Sequence, residues 1–181
     1  MRNFNVPKRE EVSENNQQIF DQLQSKLGFV PNLYALMAHS KNGLGNYLTL
    51  QGGKTSLSNK EKEVINLAVS QVNGCAYCLA AHTAVGKLNG FTGEQILNLR
   101  RGTAPFDARF SALSALAKEV TETQGRPSAE TIDSFYAAGY TDENLIDTIL
   151  IVADKIVMNY LHNITQIPID FPQVEVEPQV V

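Results

Sequence analysis

Two cysteines and a histidine stand close together in the stretch CAYCLAAH, residues 75–82. Cys75 and Cys78 are the only two cysteines in the chain, and His82 follows Cys78 by four residues. Sulfur atoms at this spacing can form and break a disulfide, bind a metal ion, or pack as small apolar side chains. The surrounding sequence must indicate which of these three roles the cysteines have.

The chemistry of the cysteine pair depends on its place in a helix. Asn73-Gly74 interrupts the preceding apolar stretch, so a helix is expected to begin at about Cys75 and to end at Asn89-Gly90. Helical residues three apart have Cα atoms about 5 Å apart, which lies inside the ~4.4–6.8 Å range of disulfides. Unpaired N–H groups and the helix dipole also lower the pKa of a thiol in the first turn. We therefore predict a redox-active dithiol.

His82 is the predicted base for Cys78. Residues four apart share one face of a helix, with Cβ atoms about 5–6 Å apart, so a direct or one-water hydrogen bond is expected. Imidazole titrates near neutral pH and can take the thiol proton and later donate it to a leaving oxygen. Glu63, on the preceding helix, is the predicted partner that orients His82. If the two helices form an antiparallel hairpin, both residues lie about two to three turns from the bend.

Helical periodicity runs through nearly the whole chain. A first amphipathic segment covers residues 10–28, and two shorter helices follow in NLYALMAH and around GLGNYLTLQGG. Ser58, Thr92 and Thr141 are predicted N-caps of later helices. Further helices are expected over residues 93–101, 106–123, 128–138 and 142–163. The predicted fold class is therefore all-α, a helical array with short loops.

Length and composition indicate one globular domain, because 181 residues with 43% hydrophobic and 19% charged side chains can bury a core. We assign residues 1–181 to this domain, with a helical core at 10–172 and a tail at 173–181. The net charge of −4 argues against a nucleic-acid partner. No apolar signal sequence and no run of ~18 apolar residues is seen. We expect a soluble cytoplasmic protein without a membrane partner, where a cysteine pair is catalytic or metal-binding.

The same residues carry a resemblance to a known family. Glu63, the CAYC motif at 75–78 and His82 resemble the E…CxxC…H signature of the alkylhydroperoxidase D-like branch of the carboxymuconolactone decarboxylase superfamily. The flanking segments LGFVPNLYALMAHS and YTDENLIDTILIVADKIVMNYLHNITQIPIDFP are also similar to that branch. The resemblance covers roughly residues 10–172.

The resemblance implies that Cys78 is the peroxidatic cysteine, Cys75 the resolving cysteine, and Glu63 with His82 the proton relay. It implies a thiol-dependent alkyl hydroperoxide reductase in a homo-oligomer (dimer, trimer or hexamer), reduced by an external dithiol such as a lipoyl-carrying protein. We expect no cofactor and no metal. The best-characterised alkylhydroperoxidase D enzymes carry a histidine where this chain has Tyr77. A tyrosine does not readily act as a base near pH 7, so the relay is expected to be shorter here.

Other interpretations stay open at this point. The two cysteines, His82 and Glu63 could supply four zinc ligands, although CxxCxxxH is not a common spacing of zinc fingers or ribbons. The cysteines could instead be buried structural residues, and Glu63 a solvated one. A non-catalytic helical module could keep the dithiol as a redox sensor. A decarboxylase-branch enzyme acting on a lactone would tolerate the loss of both cysteines.

The remaining histidines and two tyrosines have less specific roles. His39 and His162 are expected to be structural residues near helix ends, and His162 could also reach the site. Tyr77 and Tyr160 are expected in the core or in a pocket wall. The apolar stretches 61–72 and 145–157 are expected either inside the core or across a subunit interface, and we favour oligomerisation.

Overall fold

Nine α-helices follow a short 3₁₀ helix, Arg9–Glu11, within residues 3–177, the part of the chain that the computed structural model describes. The α-helices are α1 Glu14–Leu27, α2 Asn32–Met37, α3 Gly43–Gln51, α4 Asn59–Val72, α5 Ala76–Leu88, α6 Gly93–Arg100, α7 Ala108–Glu122, α8 Ala129–Ala137 and α9 Asp142–Thr165. These residues contain no strand, so the all-α prediction is confirmed. Residues 178–181 of the predicted tail lie outside the described part.

Helix α4 is the centre of the fold. Its start is fixed by the predicted capping box, in which the Ser58 hydroxyl accepts the Glu61 N–H and the Glu61 carboxylate accepts the Ser58 N–H. Helices α5, α6, α7 and α9 pack around it. Its apolar side chains are fully buried: Val64, Ile65, Leu67, Ala68 and Val69. The central burial predicted from the sequence is therefore confirmed.

Helices α4 and α5 form the hairpin that carries the cysteines. Gly74 adopts φ +60° in the tight connection, a left-handed conformation that glycine reaches without steric cost. The Cys75 N–H donates to the carbonyl of Ser70 over 3.0 Å. This hydrogen bond ties Cys75 to the last turns of α4. The hairpin therefore delivers Cys75 to the start of α5.

Three helix boundaries differ from the sequence prediction by two or more residues. Helix α7 begins at Ala108 and not at residue 106, because the Asp107 carboxylate caps it by accepting the Phe110 N–H. Helix α1 begins at Glu14 and not at residue 10, because the Ser13 hydroxyl caps it by accepting the Asn16 N–H. Helix α9 continues to Thr165, two residues beyond the predicted end, and stops where Gln166 turns into the left-handed region at φ 50°.

Among residues 3–177, no helix combines the length and apolar character that crossing a lipid bilayer requires.

The segment after α9 crosses back over the other end of the chain. The Asp170 carboxylate accepts the backbone N–H of Asn32 over 2.8 Å, which joins residues 138 positions apart. Further along, the carbonyl of Glu177 accepts the Gln71 amide over 2.8 Å. Residues 166–177 thus hold α2 and α4 together beside the start of α5.

Candidate active site

The two cysteines lie at the first turn of α5. Cys75 is the N-cap of this helix, and its sulfur accepts the Cys78 N–H over 3.3 Å. Both cysteines are free, and their Sγ atoms are 2.7 Å apart, about 0.7 Å more than the length of a disulfide bond. Cys75 is fully buried, whereas Cys78 lines a cavity. A molecule in that cavity can therefore meet the sulfur of Cys78 and not that of Cys75.

The dithiol titrates as a coupled pair. The hydrogen bond with Cys78 lowers the pKa of Cys75 to about 5, with a further contribution from His162 and against the effect of burial. Burial raises the pKa of Cys78 well above its ordinary value, and the adjacent Cys75 raises it further. Because the sulfurs are in contact, the low pKa describes the first proton that the pair loses. One thiolate is therefore present at neutral pH, stabilised by the remaining S–H.

The structure brings Glu63 and His82 together across the hairpin. The Nδ1 atom of His82 lies 2.8 Å from Oε2 of Glu63, and Oε1 of Glu63 accepts the Asn66 amide over 3.0 Å. Burial acts to raise the pKa of Glu63, but the charge and hydrogen bond of His82, with Asn66, outweigh it and leave this pKa below its ordinary value. The ionised carboxylate holds a proton on Nδ1 and leaves Nε2 available as an acceptor.

His82 makes no direct hydrogen bond to Cys78 among the described residues. Of the direct or one-water hydrogen bond expected from the i, i+4 spacing, the direct form is therefore absent. Both residues instead line the same cavity, of about 370 Å³. His82 also lines a second cavity of about 500 Å³, together with Glu63 and Asn66. The imidazole therefore lies between the two cavities, where a bound molecule can bridge it to the thiol.

The cavity at Cys78 is mostly apolar. Its walls include aromatic and aliphatic side chains from four parts of the chain, among them Phe29, Leu33, Tyr47, Met158 and Phe171. Lys155 supplies a charged group to the same cavity. That lysine is only 3% exposed, and its ion-pair partner is Asp154, 3.8 Å away.

The comparisons with known proteins fit this geometry. Residues 37–119, from the end of α2 into α7, match the carboxymuconolactone decarboxylase family. The matched region contains Glu63, the dithiol and His82, so the resemblance seen in the sequence is confirmed. A curated relative, YdfG of Bacillus subtilis (strain 168), is 28% identical over 104 residues, or 55% of this chain and 69% of YdfG.

Several solved structures share the fold of this protein. A crystal structure described as the alkylhydroperoxidase AhpD core, a peroxidase-related protein from Ralstonia eutropha JMP134, has a TM-score of 0.83 at 22% identity. The match covers 92% of this chain and 91% of that one. The debrominase Bmp8, solved in complex with 2,3,4-tribromopyrrole, has a TM-score of 0.76 at 17% identity, with 92% and 91% covered. The helical array is thus of the alkylhydroperoxidase D-like type.

Helix α9 contributes a buried polar face that the sequence analysis largely missed. Lys155, Asn159 and His162 are all buried at spacings of four and three residues. Lys155 through its charge and Asn159 through a hydrogen bond both act to lower the pKa of Cys78, although burial prevails. The available signal was three polar residues at helical spacing within the apolar run DKIVMNYLH.

Tyr77, the residue between the cysteines, is a wall of the cavity. It is 3% exposed, its hydroxyl accepts the Leu33 N–H over 3.3 Å, and its ring lies 5.5 Å from that of Phe171. Burial raises its pKa, so it does not replace a histidine as a base. Tyr160 is 54% exposed on α9, so its expected place in the core or a pocket wall is wrong.

Two further expectations concern metal binding and His39. Residues 3–177 contain no group of three or more His, Cys, Asp and Glu side chains placed to hold a metal ion, so the zinc alternative has no ligand set there. His39 lies on the surface after α2, with Nε2 3.0 Å from the carbonyl of Asn5. It plays no part in the site.

Proposed function

We propose that this protein is a thiol-dependent peroxidase that reduces organic hydroperoxides, with Cys78 as the peroxidatic cysteine and Cys75 as the resolving one. One observation carries the proposal. A dithiol with its sulfurs 2.7 Å apart opens through Cys78 into a cavity that also holds the Glu63-bound His82. Nucleophile, base and orienting carboxylate are the parts that activated thiols use.

The first step oxidises Cys78. The Cys75 thiolate takes the Cys78 proton across their 2.7 Å contact. The resulting Cys78 thiolate attacks the terminal oxygen of the hydroperoxide, so that an S–O bond forms and the O–O bond breaks. The alkoxide that leaves takes a proton from the His82 imidazolium and departs as an alcohol. The sulfur is oxidised by two electrons and becomes a sulfenic acid. Glu63 stabilises the charged form of His82 that this transfer requires.

The second step closes the disulfide. The sulfur of Cys75 attacks that of Cys78, displaces the hydroxyl as water and forms the S–S bond. An external dithiol then attacks Cys78, which is the sulfur that lines the cavity, and restores both thiols by exchange. A lipoyl group on a partner protein is a dithiol of the required kind. Because the cycle needs a supply of reductant, we propose that the protein works in the cytoplasm.

The cavity favours an organic peroxide over hydrogen peroxide. A volume of about 370 Å³ with mainly apolar walls suits a hydrocarbon group, whose burial is favourable. Lys155, at the edge of that space, places a positive charge where the leaving oxygen becomes negative. Substrate preference should therefore follow the apolar part of the molecule.

A peroxidase assay tests the proposal. We would measure turnover of cumene hydroperoxide with dihydrolipoamide as the reductant for the wild type, Cys78→Ser and Cys75→Ser. We expect turnover in the wild type, none in Cys78→Ser, and one stoichiometric reaction without cycling in Cys75→Ser. Absence of turnover in a wild type whose disulfide forms and is reduced normally would instead support a redox sensor. Activity on a lactone that survives the loss of both cysteines would support the decarboxylase alternative.

The aromatic walls of the cavity favour a second candidate, reductive dehalogenation of an aromatic ring. A thiolate that takes OH from a peroxide can also take bromine from a ring, after which Cys75 displaces bromide and the ring gains a proton. The net reaction consumes one dithiol and releases bromide. Bmp8, which shares the fold, is described as a debrominase. Release of bromide from 2,3,4-tribromopyrrole without peroxide turnover would select this activity.

We also propose that the protein forms a homo-oligomer through α9. Six large apolar side chains on this helix are exposed: Ile146, Ile149, Leu150, Val157, Tyr160 and Ile164. Such a concentration is unusual on the surface of a monomer, and a second copy of the same helix would cover it with like surface. Light scattering after gel filtration would measure the mass, and a monomer at micromolar concentration would refute the assembly.

A further inference from the structure

His162 has an unusual environment for a structural histidine. It is 3% exposed, in the last turn of α9, and its Nε2 lies 3.2 Å from the carbonyl oxygen of Ile167. A carbonyl only accepts hydrogen bonds, so Nε2 carries the ring proton. The other nitrogen, Nδ1, is therefore an unprotonated acceptor when the ring is neutral.

That acceptor has no ordinary partner. Nδ1 of His162 is fully buried and makes no hydrogen bond to any of the residues 3–177. Buried polar atoms without a partner are rare in folded proteins, and each one calls for an explanation. The backbone of Ile167 fixes the tautomer that leaves this lone pair unused inside the protein.

His162 lies against the first turn of α5, the helix whose N-cap is Cys75. The His162 ring lies 5.3 Å from that of Tyr77, the second residue after Cys75. The ring also acts to lower the pKa of Cys75 through its hydrogen-bonding capacity and its charge, after the larger effect of Cys78. Tyr77 itself offers no base, because its hydroxyl is held by the backbone of Leu33.

Cys75 needs a base of its own. It is fully buried, and unlike Cys78 it does not line the cavity that contains His82. His82 is held by Glu63 on the side of α5 that faces the two cavities. In a dithiol cycle, however, Cys75 must give up its proton when it attacks Cys78 and regain it when the disulfide is reduced.

We propose that His162 is the base and acid for Cys75, which makes a second proton relay in addition to that of His82 and Glu63. This assignment rests on the peroxidase function proposed above. When Cys75 attacks the sulfenic acid of Cys78, Nδ1 takes the Cys75 proton, the S–S bond forms and the S–O bond breaks. His82, which has regained a proton from solvent since the first step, gives that proton to the leaving hydroxide, which becomes water.

Reduction reverses the transfer at Cys75. An external dithiol attacks the Cys78 sulfur, forming a mixed disulfide, and Cys75 leaves as a thiolate. The His162 imidazolium returns its proton to Cys75 or stabilises the thiolate by donating to it. The second thiol of the donor then releases Cys78. The donor loses two electrons and two protons. The enzyme takes both electrons and one proton, the other proton returns to solvent in place of the one that His82 took up, and His162 ends as it began.

Other titratable groups lie around Cys75 and His162 and affect how tightly these two residues hold a proton. Cys78 lies beside Cys75 on α5, Lys155 lies two turns before His162 on α9, and Asp170 hydrogen-bonds Tyr77 from the C-terminal segment. Lys155 acts on Cys78. Replacing His162 alone should therefore change the proton affinity of Cys75 while the charge near Cys78 stays in place.

The first test needs no peroxide. In a Cys78→Ser background, Cys75 is the only thiol, and its thiolate absorbance can be titrated against pH with and without His162→Gln. We expect the titration to move to higher pH by at least one unit, a tenfold change in proton affinity. An unchanged titration would overturn the proposal. This result is independent of peroxidase activity, so its failure and that of the proposed function can be told apart.

The second test separates the two steps of the cycle. In the otherwise unchanged protein, His162→Gln should leave the single-turnover oxidation of Cys78 at its normal rate but slow disulfide formation by roughly 10²-fold. The sulfenic acid should then accumulate and react with dimedone. His39→Gln is the matched control, because that exposed histidine also has Nε2 at a backbone carbonyl and should change neither step. Equal slowing of both steps in His162→Gln would overturn the assignment.

A measurement on the wild type covers the case in which the variant does not fold. In ¹⁵N-labelled protein, the Nδ1 resonance of His162 should report an unprotonated nitrogen with the proton on Nε2, and it should shift when the dithiol is oxidised. An Nδ1 resonance that is the same in reduced and disulfide forms would contradict the proposal.

Discussion

Nδ1 of His82 lies 2.8 Å from Oε2 of Glu63, although the two residues are 19 positions apart and belong to different helices. The hairpin of α4 and α5 alone produces this contact, because both residues lie at a similar distance from the bend at Gly74. The carboxylate then fixes which nitrogen of the ring can exchange protons in the cavity. The activity, the reactivity of the thiols and the choice of peroxide should therefore respond to changes at this pair and in the cavity beside it.

Replacing Glu63 by glutamine should slow the peroxide reaction while the fold is retained. The amide still accepts a hydrogen bond from His82, but it cannot balance the imidazolium charge. We expect kcat/KM for cumene hydroperoxide to fall by roughly 10²-fold. Steady-state assays would measure this. Glu61→Gln is the control on the same helix, since Glu61 caps α4 and pairs with Arg109, 3.2 Å away and outside the site. A loss of rate shared by both variants would point to damage to α4 as the cause.

The reduced protein should react with iodoacetamide at neutral pH through Cys78. The pKa of Cys75 is lowered to about 5 by its contact with Cys78, and the two sulfurs, 2.7 Å apart, share the remaining proton. The thiolate fraction should therefore be nearly constant from pH 6 to 8 and fall as the pH drops through about 5. Alkylation rates should follow that profile, and mass spectrometry should find the label on Cys78, because Cys75 is fully buried. A rate that rises tenfold per pH unit up to pH 8.5 would indicate an ordinary thiol and contradict the coupled pair.

Filling the cavity should separate organic hydroperoxides from hydrogen peroxide. Ala81 lines the cavity at Cys78, so Ala81→Phe reduces the volume open to a hydrocarbon group. We expect KM for cumene hydroperoxide to rise about tenfold, which corresponds to roughly 1.4 kcal/mol less favourable burial of that group, with little change for hydrogen peroxide. Ala137→Phe, at an exposed position on α8, is the control. Equal effects of Ala81→Phe on both peroxides would exclude this cavity as the binding site.

Two glycines should respond oppositely to alanine. In α5, a Cβ on Gly86 would lie 3.4 Å from Cδ1 of Ile96, an ordinary packing distance, so Gly86→Ala should stabilise the protein by about 0.5–1 kcal/mol. Gly102 has φ +81°, and its Cβ would lie 2.5 Å from Cδ of Lys118. Gly102→Ala should therefore lower the free energy of unfolding of the protein by about 1–2 kcal/mol. Urea unfolding would measure both, and a gain of stability in Gly102→Ala would be inconsistent with this backbone conformation.

Local signals in the sequence predicted most of the fold. The helices that begin at Ser58, Thr92 and Thr141 have the predicted N-caps, because a cap involves only residues three apart. The start of α1 was placed too early, since the amphipathic pattern continues past the true cap at Ser13. The apolar pattern continues into flanking residues that happen to share its spacing. The start of the helix itself is fixed by the hydrogen bond of the N-cap side chain.

The candidate site was only half predictable. Glu63 and His82 could be paired because a short hairpin relates their positions directly. Lys155, Asn159 and His162 reach the dithiol from a helix some 80 residues further along the chain, and no local rule says which face of α9 meets α5. Their polarity inside an apolar helix was visible, but its meaning depended on tertiary packing.

The path of the C-terminal segment has a consequence for how the protein is made. Asp170 binds the backbone of Asn32, and Phe171 packs on Tyr77, so a segment that is made after helices α1 to α9 completes the wall beside the cysteines. The wall on this side of the dithiol therefore forms only once residues 170 and 171 have been made, later than the helix that carries the cysteines.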